Sequence, residues 1–422
     1  MNKTIKLAVA GAVFAAASVA NAGIIIPAGD WTLDISGNVN TFATWTRATG
    51  AGVDIAGGIA KGNATGSRTE SNITTGLLPN FLAVSGSTRQ NDLDVAFTIS
   101  INPGSSTTAA LNGDGKGSAR QENRQAFLTF GDKSWGSIKI GKDLGVFASD
   151  AILNDMTLLG VGSGAGQLAG GTTTLGRIGT GFIYADWKSQ IAYTTPNFNG
   201  LQGTVAITQA WNQQDTLLGT GIGNTATSKG RAGAQPAYEA KASYSFANDA
   251  MNGKVWASGI YQKAKNFASV NSFSYIEDSS MYGGDIGATV NVANFGLTGY
   301  YYGGTGLGTT LVGSGGFANI GETIKARDSD GGYIQATYVL PTKTKVGVSW
   351  GVSNLDRANG ESTSCSDGGH LVKSNEMWTV GAYHPLTKHL NLVAEFSEIN
   401  SENHRNQENT NRTGSLGAIM FF

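Results

Sequence analysis

Cysteine, proline and histidine are scarce in this 422-residue chain, and long apolar runs are missing altogether. The single cysteine, Cys365, excludes an internal disulfide and suits an incidental loop thiol, since a zinc centre needs several clustered ligands. With only seven prolines, little interrupts extended hydrogen-bonded ladders. Nothing approaches 18 consecutive apolar residues, so no segment reads as a membrane-spanning helix. Neither sign of charge dominates: the formal net charge is −1, which gives no support for nucleic-acid binding.

The catalytic motifs are missing too. The four histidines, His370, His384, His389 and His404, all fall in the C-terminal quarter. His384 and His389 flank a turn without a third metal ligand nearby. The one Gly-x-Ser-x-Gly match, Gly347-Val348-Ser349-Trp350-Gly351, falls between an expected turn and a long gap, where a strand is expected rather than a strand-to-helix elbow, so a serine hydrolase has no local support. The glycine run from Gly160 to Gly164 matches no phosphate-binding loop. Asp328-Ser329-Asp330-Gly331 and Asn112-Gly113-Asp114-Gly115 lack the remaining ligands of a calcium loop. The chain reads as a non-enzyme that requires no cofactor.

What the chain does have is alternation. Leu93, Val95, Phe97, Ile99 and Ile101 point one way, and Asp92, Asp94, Thr98 and Ser100 the other. Tyr238, Ala240, Ala242, Tyr244 and Phe246 alternate in the same manner with Glu239, Lys241, Ser243 and Ser245. Period two marks a strand with one apolar and one wet face. The pattern recurs about sixteen times from Trp31 to Phe422, which predicts an all-β fold: a transmembrane antiparallel β-barrel, wet inside and apolar outside.

Export comes first. Lys3 and Lys6, the short apolar core over residues 7–19 and Ala20-Asn21-Ala22 predict a secretory signal peptide over residues 1–22. The barrel then occupies residues 23–422. Sixty-one glycines suit strands that curve closely in a barrel wall. Short turns are expected at 89–91, 133–134, 196–200, 248–253, 293–294, 341–343 and 385–388. Long gaps are expected at 48–75, 103–123, 143–180, 212–235, 264–280, 303–329, 354–374 and 398–412. This alternation of connections is that of an up-and-down barrel with periplasmic turns and extracellular loops. Trp45, Trp187, Trp211, Tyr301, Trp350 and Tyr383 near strand ends are expected to form interfacial girdles, and Phe42 to face inward.

The third long gap is more apolar than a solvated loop. A short helix is expected over 148–159, with Ser149 or Asp150 as its N-cap. Packed on the inner wall, this loop would narrow the lumen and carry Asp143, Asp150 and Asp155 towards it. Arg124, Lys139, Lys188 and Lys241 are the candidate basic residues facing them from the strands. Such opposed rows would orient dipolar solutes and discriminate by width and charge.

Three stretches carry a family resemblance: Ser134 to Asp143 (SWGSIKIGKD), Ile183 to Gly200 within FIYADWKSQIAYTTPNFNG, and the closing strand with Leu416, Ala418, Met420 and Phe422 on one face. In this order they resemble the general-diffusion porins of Gram-negative bacteria, over nearly the whole mature chain. That resemblance implies a 16-stranded homotrimer with the third outer loop folded into the pore. It also implies that Phe422 closes the signal read by the barrel-insertion machinery. Three departures stand out: Lys142 occupies a position where arginine is common, the acidic Pro-Glu-Phe-Gly-Gly tip of enteric porins is absent, and Asn80 stands where many relatives place an inward arginine. The expected function is passive diffusion of small hydrophilic solutes and ions across the outer membrane, amid lipids and lipopolysaccharide. A substrate-selective channel, or a barrel-anchored surface binding protein or adhesin, remains the alternative.

Overall fold

The computed structural model describes residues 23–62, 68–105, 121–163, 173–210, 235–270, 273–320, 323–361 and 370–422. The signal segment 1–22, Cys365, Trp211 and the stretch 112–115 lie outside the described residues.

Sixteen antiparallel strands close on themselves. In chain order they are β1 (Trp31–Gly50), β2 (Phe81–Gln90), β3 (Leu93–Pro103), β4 (Ala126–Asp132), β5 (Gly136–Leu144), β6 (Trp187–Thr194), β7 (Leu201–Thr208) and β8 (Ala237–Ala247). The second half comprises β9 (Met251–Val270), β10 (Phe273–Val292), β11 (Phe295–Thr305), β12 (Asp328–Val339), β13 (Lys345–Leu355), β14 (Val372–Pro385), β15 (Leu390–Asn403) and β16 (Glu408–Phe421). Each strand pairs with its sequence neighbour, and β1 pairs with both β2 and β16. Closure leaves no ladder edge unpaired, the condition for spanning lipid with strands. Among the described residues no helix is long and apolar enough to cross a membrane.

The two ends of the barrel chain meet at the seam. Ile24–Ala28 pairs with Trp31–Ile35, while Phe422 exchanges backbone hydrogen bonds with Gly37 at 2.8 and 3.0 Å. The N-terminal segment thus continues the line of β16 towards the short-turn end. Arg68–Thr74 similarly extends the line of β2 beside β1, inside the stretch expected to be a loop. The gap expected over 264–280 is also largely strand: β9 and β10 pair from Met251↔Val292 to Val270↔Phe273. A hairpin that rises beyond the lipid belt needs no apolar face, so alternation stops marking it while its backbone ladder continues.

Side chains sort as the alternation demands. On β7, Val205 and Ile207 are about half exposed on the outer surface, whereas Ala206 and Thr208 are buried inside. Exposed Trp45, Tyr301 and Trp350 stand on the outer wall as expected of a girdle. Tyr383 does not. It is buried in the lumen, on the same face of β14 as Met377 and Thr379. A tyrosine near a strand end suits either face, and only its parity with the buried neighbours decides.

The inner wall has two characters. From β9 to β14 it carries Trp256, Tyr300, Tyr302, Tyr333, Met377 and Tyr383, all buried. From β2 to β7 it carries small and hydroxyl residues such as Ala83, Thr98, Ser100, Thr129 and Ala192, interspersed with Phe127, Lys139, Asp143 and Lys188. Phe42, inward as expected, is therefore one of several lumenal aromatics. Trp256 lies flat across its neighbour strand: a Cβ on Gly287 would sit 2.2 Å from the indole Cζ2. Gly287→Val is expected to displace the ring and lower stability by about 1–3 kcal/mol, read as a fall in the thermal unfolding midpoint.

Candidate functional site

The aromatic half of the wall is covered by the loop joining β5 to β6. Its neck is closed by Gly145 N–H donating to the Asp186 carbonyl at 2.7 Å. Beyond the neck, the N–H groups of Val146 and Phe147 donate to Glu239 Oε2 at 2.7 and 2.8 Å. The other Glu239 oxygen accepts from Lys188 Nζ at 2.7 Å and from Thr208 Oγ1 at 2.9 Å. Ala148 then takes a left-handed conformation, φ 61°, and turns the chain into a short helix, α1 (Ser149–Leu153).

The expected helix over 148–159 is broken in two. A 3₁₀ turn, Met156–Leu159, follows α1, and Asp155 caps it by accepting from Thr157 N–H at 3.0 Å and from Thr157 Oγ1 at 2.5 Å. A side chain that satisfies the backbone locally competes with helix continuation. Ala148, rather than Ser149 or Asp150, occupies the N-cap position of α1, and Ser149 Oγ donates back to the Val146 carbonyl.

Past the helix the loop is strapped to the far wall. Tyr333 OH donates to the Ala151 carbonyl at 2.8 Å. Gln335 accepts from Met156 N–H and donates to the Asn154 carbonyl. The N–H groups of Val161 and Gly162 then donate to Glu395 Oε2 at 2.7 and 2.8 Å, while Tyr383 OH donates to Oε1 at 2.6 Å. Glu239 at its start and Glu395 midway along it thus hold the loop in the same way, each carboxylate gripping two successive amides. At Glu239, which also pairs with Lys188, these bonds are charge-assisted and about twice as strong as neutral ones.

Two further connections fold inward beside it. Ile59 and Ala60, between β1 and β2, donate their N–H groups to Asn375 Oδ1 and Ser401 Oγ. Thr310, between β11 and β12, accepts from Tyr184 N–H at 2.9 Å. Ile59, Ile178, Phe182, Leu307 and Leu311 join one buried apolar cluster with the lumenal aromatics.

The charged residues named from sequence are brought into direct contact with partners. Asp150 Oδ2 lies 2.9 Å from Lys241 Nζ, and Lys254 Nζ reaches Oδ1. Asp143 pairs with Lys139 and accepts from Gln125 Nε2 at 3.1 Å. Lys188 is fully buried against Glu239. Arg124 pairs with Glu122 at 2.9 Å and stacks over Trp187 at 5.8 Å. Asp155 is fully buried, 4.0 Å from Arg177 Nε. Burial raises the Asp155 carboxyl despite Arg177 and Thr157, and burial lowers the Arg177 guanidinium despite Asp155. Burial also works against ionised Asp150, yet Lys241 and Lys254 outweigh it and hold its carboxyl below the ordinary value.

Sequence reasoning missed Glu239, Glu395, Lys254, Gln335 and Arg177. The signal existed for the first two: each is an acidic residue at an inward position flanked by small or apolar neighbours, where an unpaired charge would be costly. Among the described residues no cluster of three or more His, Cys, Asp and Glu side chains could hold a metal.

A closed sixteen-stranded barrel with its third loop folded inside defines a channel-forming outer-membrane protein. The sequence profile of the family described as Gram-negative porin matches residues 7–404, and the chain belongs to that family. No curated protein matches the chain. Among solved structures it is similar to the outer membrane channel DcaP of Acinetobacter baumannii, with a TM-score of 0.66 at 16% identity over 94% of this chain and 99% of that one. It is also similar to Salmonella typhi OmpF in complex with daunomycin, TM-score 0.55 at 13% identity over 94% and 100% of the two chains. OprB of Pseudomonas putida gives 0.52 at 12% identity over 92% and 94%. At such identities the likeness is one of fold. The protein is accordingly a multi-pass β-barrel of the bacterial outer membrane.

Proposed function

We propose that this porin is a passive, water-filled diffusion channel for small hydrophilic solutes and ions, exported by residues 1–22 and working as a homotrimer. One observation supports the reading: the β5–β6 loop is bound mainly along the β8–β15 side of the inner wall, so we place the diffusion lane beside the opposite wall, between the loop and strands β2 to β7. A pore discriminates by width and by the groups that line it, and conducts when solutes leave their sites easily. Lys139 and Lys241, with Asp143 and Asp150 beneath them, set the charge of the narrow section, whereas Asp155, Lys188 and Arg124 are buried away from it. Phe422 serves as the insertion signal. Family membership argues against catalysis, and the lumen offers solutes a route rather than a reaction.

Liposome swelling tests the reading. Vesicles holding the refolded mature protein should swell in isotonic sugars at rates that fall steeply with solute size. Swelling no faster than in protein-free vesicles would overturn it. Asp150→Asn removes the carboxylate between two lysines, so it is expected to shift the reversal potential in a KCl gradient towards that of chloride.

A further inference from the structure

Inside the narrow section, ion pairs share one orientation: the lysine reaches the water and the carboxylate lies beneath it. The Lys139 side chain is 30% exposed and that of Asp143 5%. Lys241 and Lys254 are 21% and 30% exposed over Asp150 at 4%. Asp285 is buried as well, its carboxylate taken by Ser258 N–H and Oγ and by Tyr300 OH. Lys188 and Glu239 face no water. At the outer rim the order reverses, with Glu122 more exposed than Arg124. A solute in the lane therefore meets ammonium groups at close range and their carboxylates only behind them. Because interaction falls with distance and with intervening solvent, the nearer sign prevails.

Next to these lysines lies an apolar ledge. Leu153 is on α1, three residues after Asp150 and on the same face, and is partly exposed. Leu159 and Leu78 are also partly exposed and pack on buried Phe42 and Val161. On the neighbouring strands β5 and β4, Lys139 Nζ sits 4.9 Å over the Phe127 ring, itself partly exposed. An inward loop edge that served only to keep the lumen hydrated would present polar side chains here.

We propose that this section is a weak binding site for small organic anions with an apolar body. The anionic group meets Lys241 and Lys254, and the apolar body rests on Leu153, with Leu159 and Leu78 beyond it. Chloride gains only the charge, neutral sugars neither feature, and cations are repelled at the same point. The proposal rests on the reading of the chain as an open channel.

The test is single-channel and bi-ionic recording of the refolded mature protein in planar bilayers. Steps in KCl establish the channel; their absence from a folded barrel overturns the channel reading and the site with it. With steps present, the reversal potential should show anions passing more readily than potassium. Benzoate should then slow the chloride current in a saturable manner, about tenfold more strongly than acetate, as partial burial of a phenyl ring requires. Lys254→Met should lower the anion-to-cation ratio, and Leu153→Ser should remove the difference between benzoate and acetate. Retained heat-modifiable mobility on gels identifies variants that have folded. Potassium preference, equal effects of the two carboxylates, or benzoate block unchanged in folded Leu153→Ser would overturn the site while leaving the channel standing.

Discussion

Glu395→Ala will widen and destabilise the proposed lane, with single-channel conductance rising by about twofold and its noise increasing. The carboxylate grips the N–H groups of Val161 and Gly162 and accepts from Tyr383 OH, all from buried positions. Leaving a buried amide donor unsatisfied costs about 1–3 kcal/mol, so losing both contacts removes about 2–6 kcal/mol of tethering. The neighbouring corner of the loop has no substitute, because a Cβ on Gly160 would already sit 2.1 Å from Glu395 Oε1. Glu395→Gln keeps an acceptor oxygen and should fall between the two. A conductance unchanged in Glu395→Ala would show that the loop is held elsewhere.

Lys188→Met should have the largest effect on stability. Lys188 and Glu239 are both fully buried at 2.7 Å, and Glu239 also holds the loop through Val146 and Phe147. Removing one partner of a buried pair leaves an uncompensated charge, at a cost of about 3–5 kcal/mol. The thermal midpoint of the folded barrel in detergent should fall accordingly. The double variant Lys188→Met/Glu239→Gln removes the stranded charge and should recover most of the loss. If the double variant is no more stable than the single one, burial of the charge is not the cause.

The barrel was legible because lipid enforces a rule residue by residue. Val205 and Ile207 had to face out and Thr208 in, and the register leaves no other choice. Legibility ended where that rule ends. Above the lipid belt, residues 264–280 lose their alternation but keep their ladder, so strand read as loop. Inside the barrel, the apolar loop was recognisable as a wall-packed segment, yet its partners were not, since contacts such as Val161 to Glu395 span 234 residues. Asp150 and Lys241 were named for one section and do meet, whereas Lys254 escaped notice because its inward parity on β9 looks like that of any solvated lysine. The same gap hid Tyr383, whose face is set by Met377 and Thr379 rather than by its own chemistry.

The most direct test of the central claim is the single-channel conductance of the refolded mature protein in a planar bilayer. A wet lane beside a strapped loop predicts ohmic, stepwise openings, grouped in threes if the homotrimer forms. A folded, heat-modifiable barrel that inserts and passes no current would contradict the account, because the loops would then close the lumen rather than narrow it.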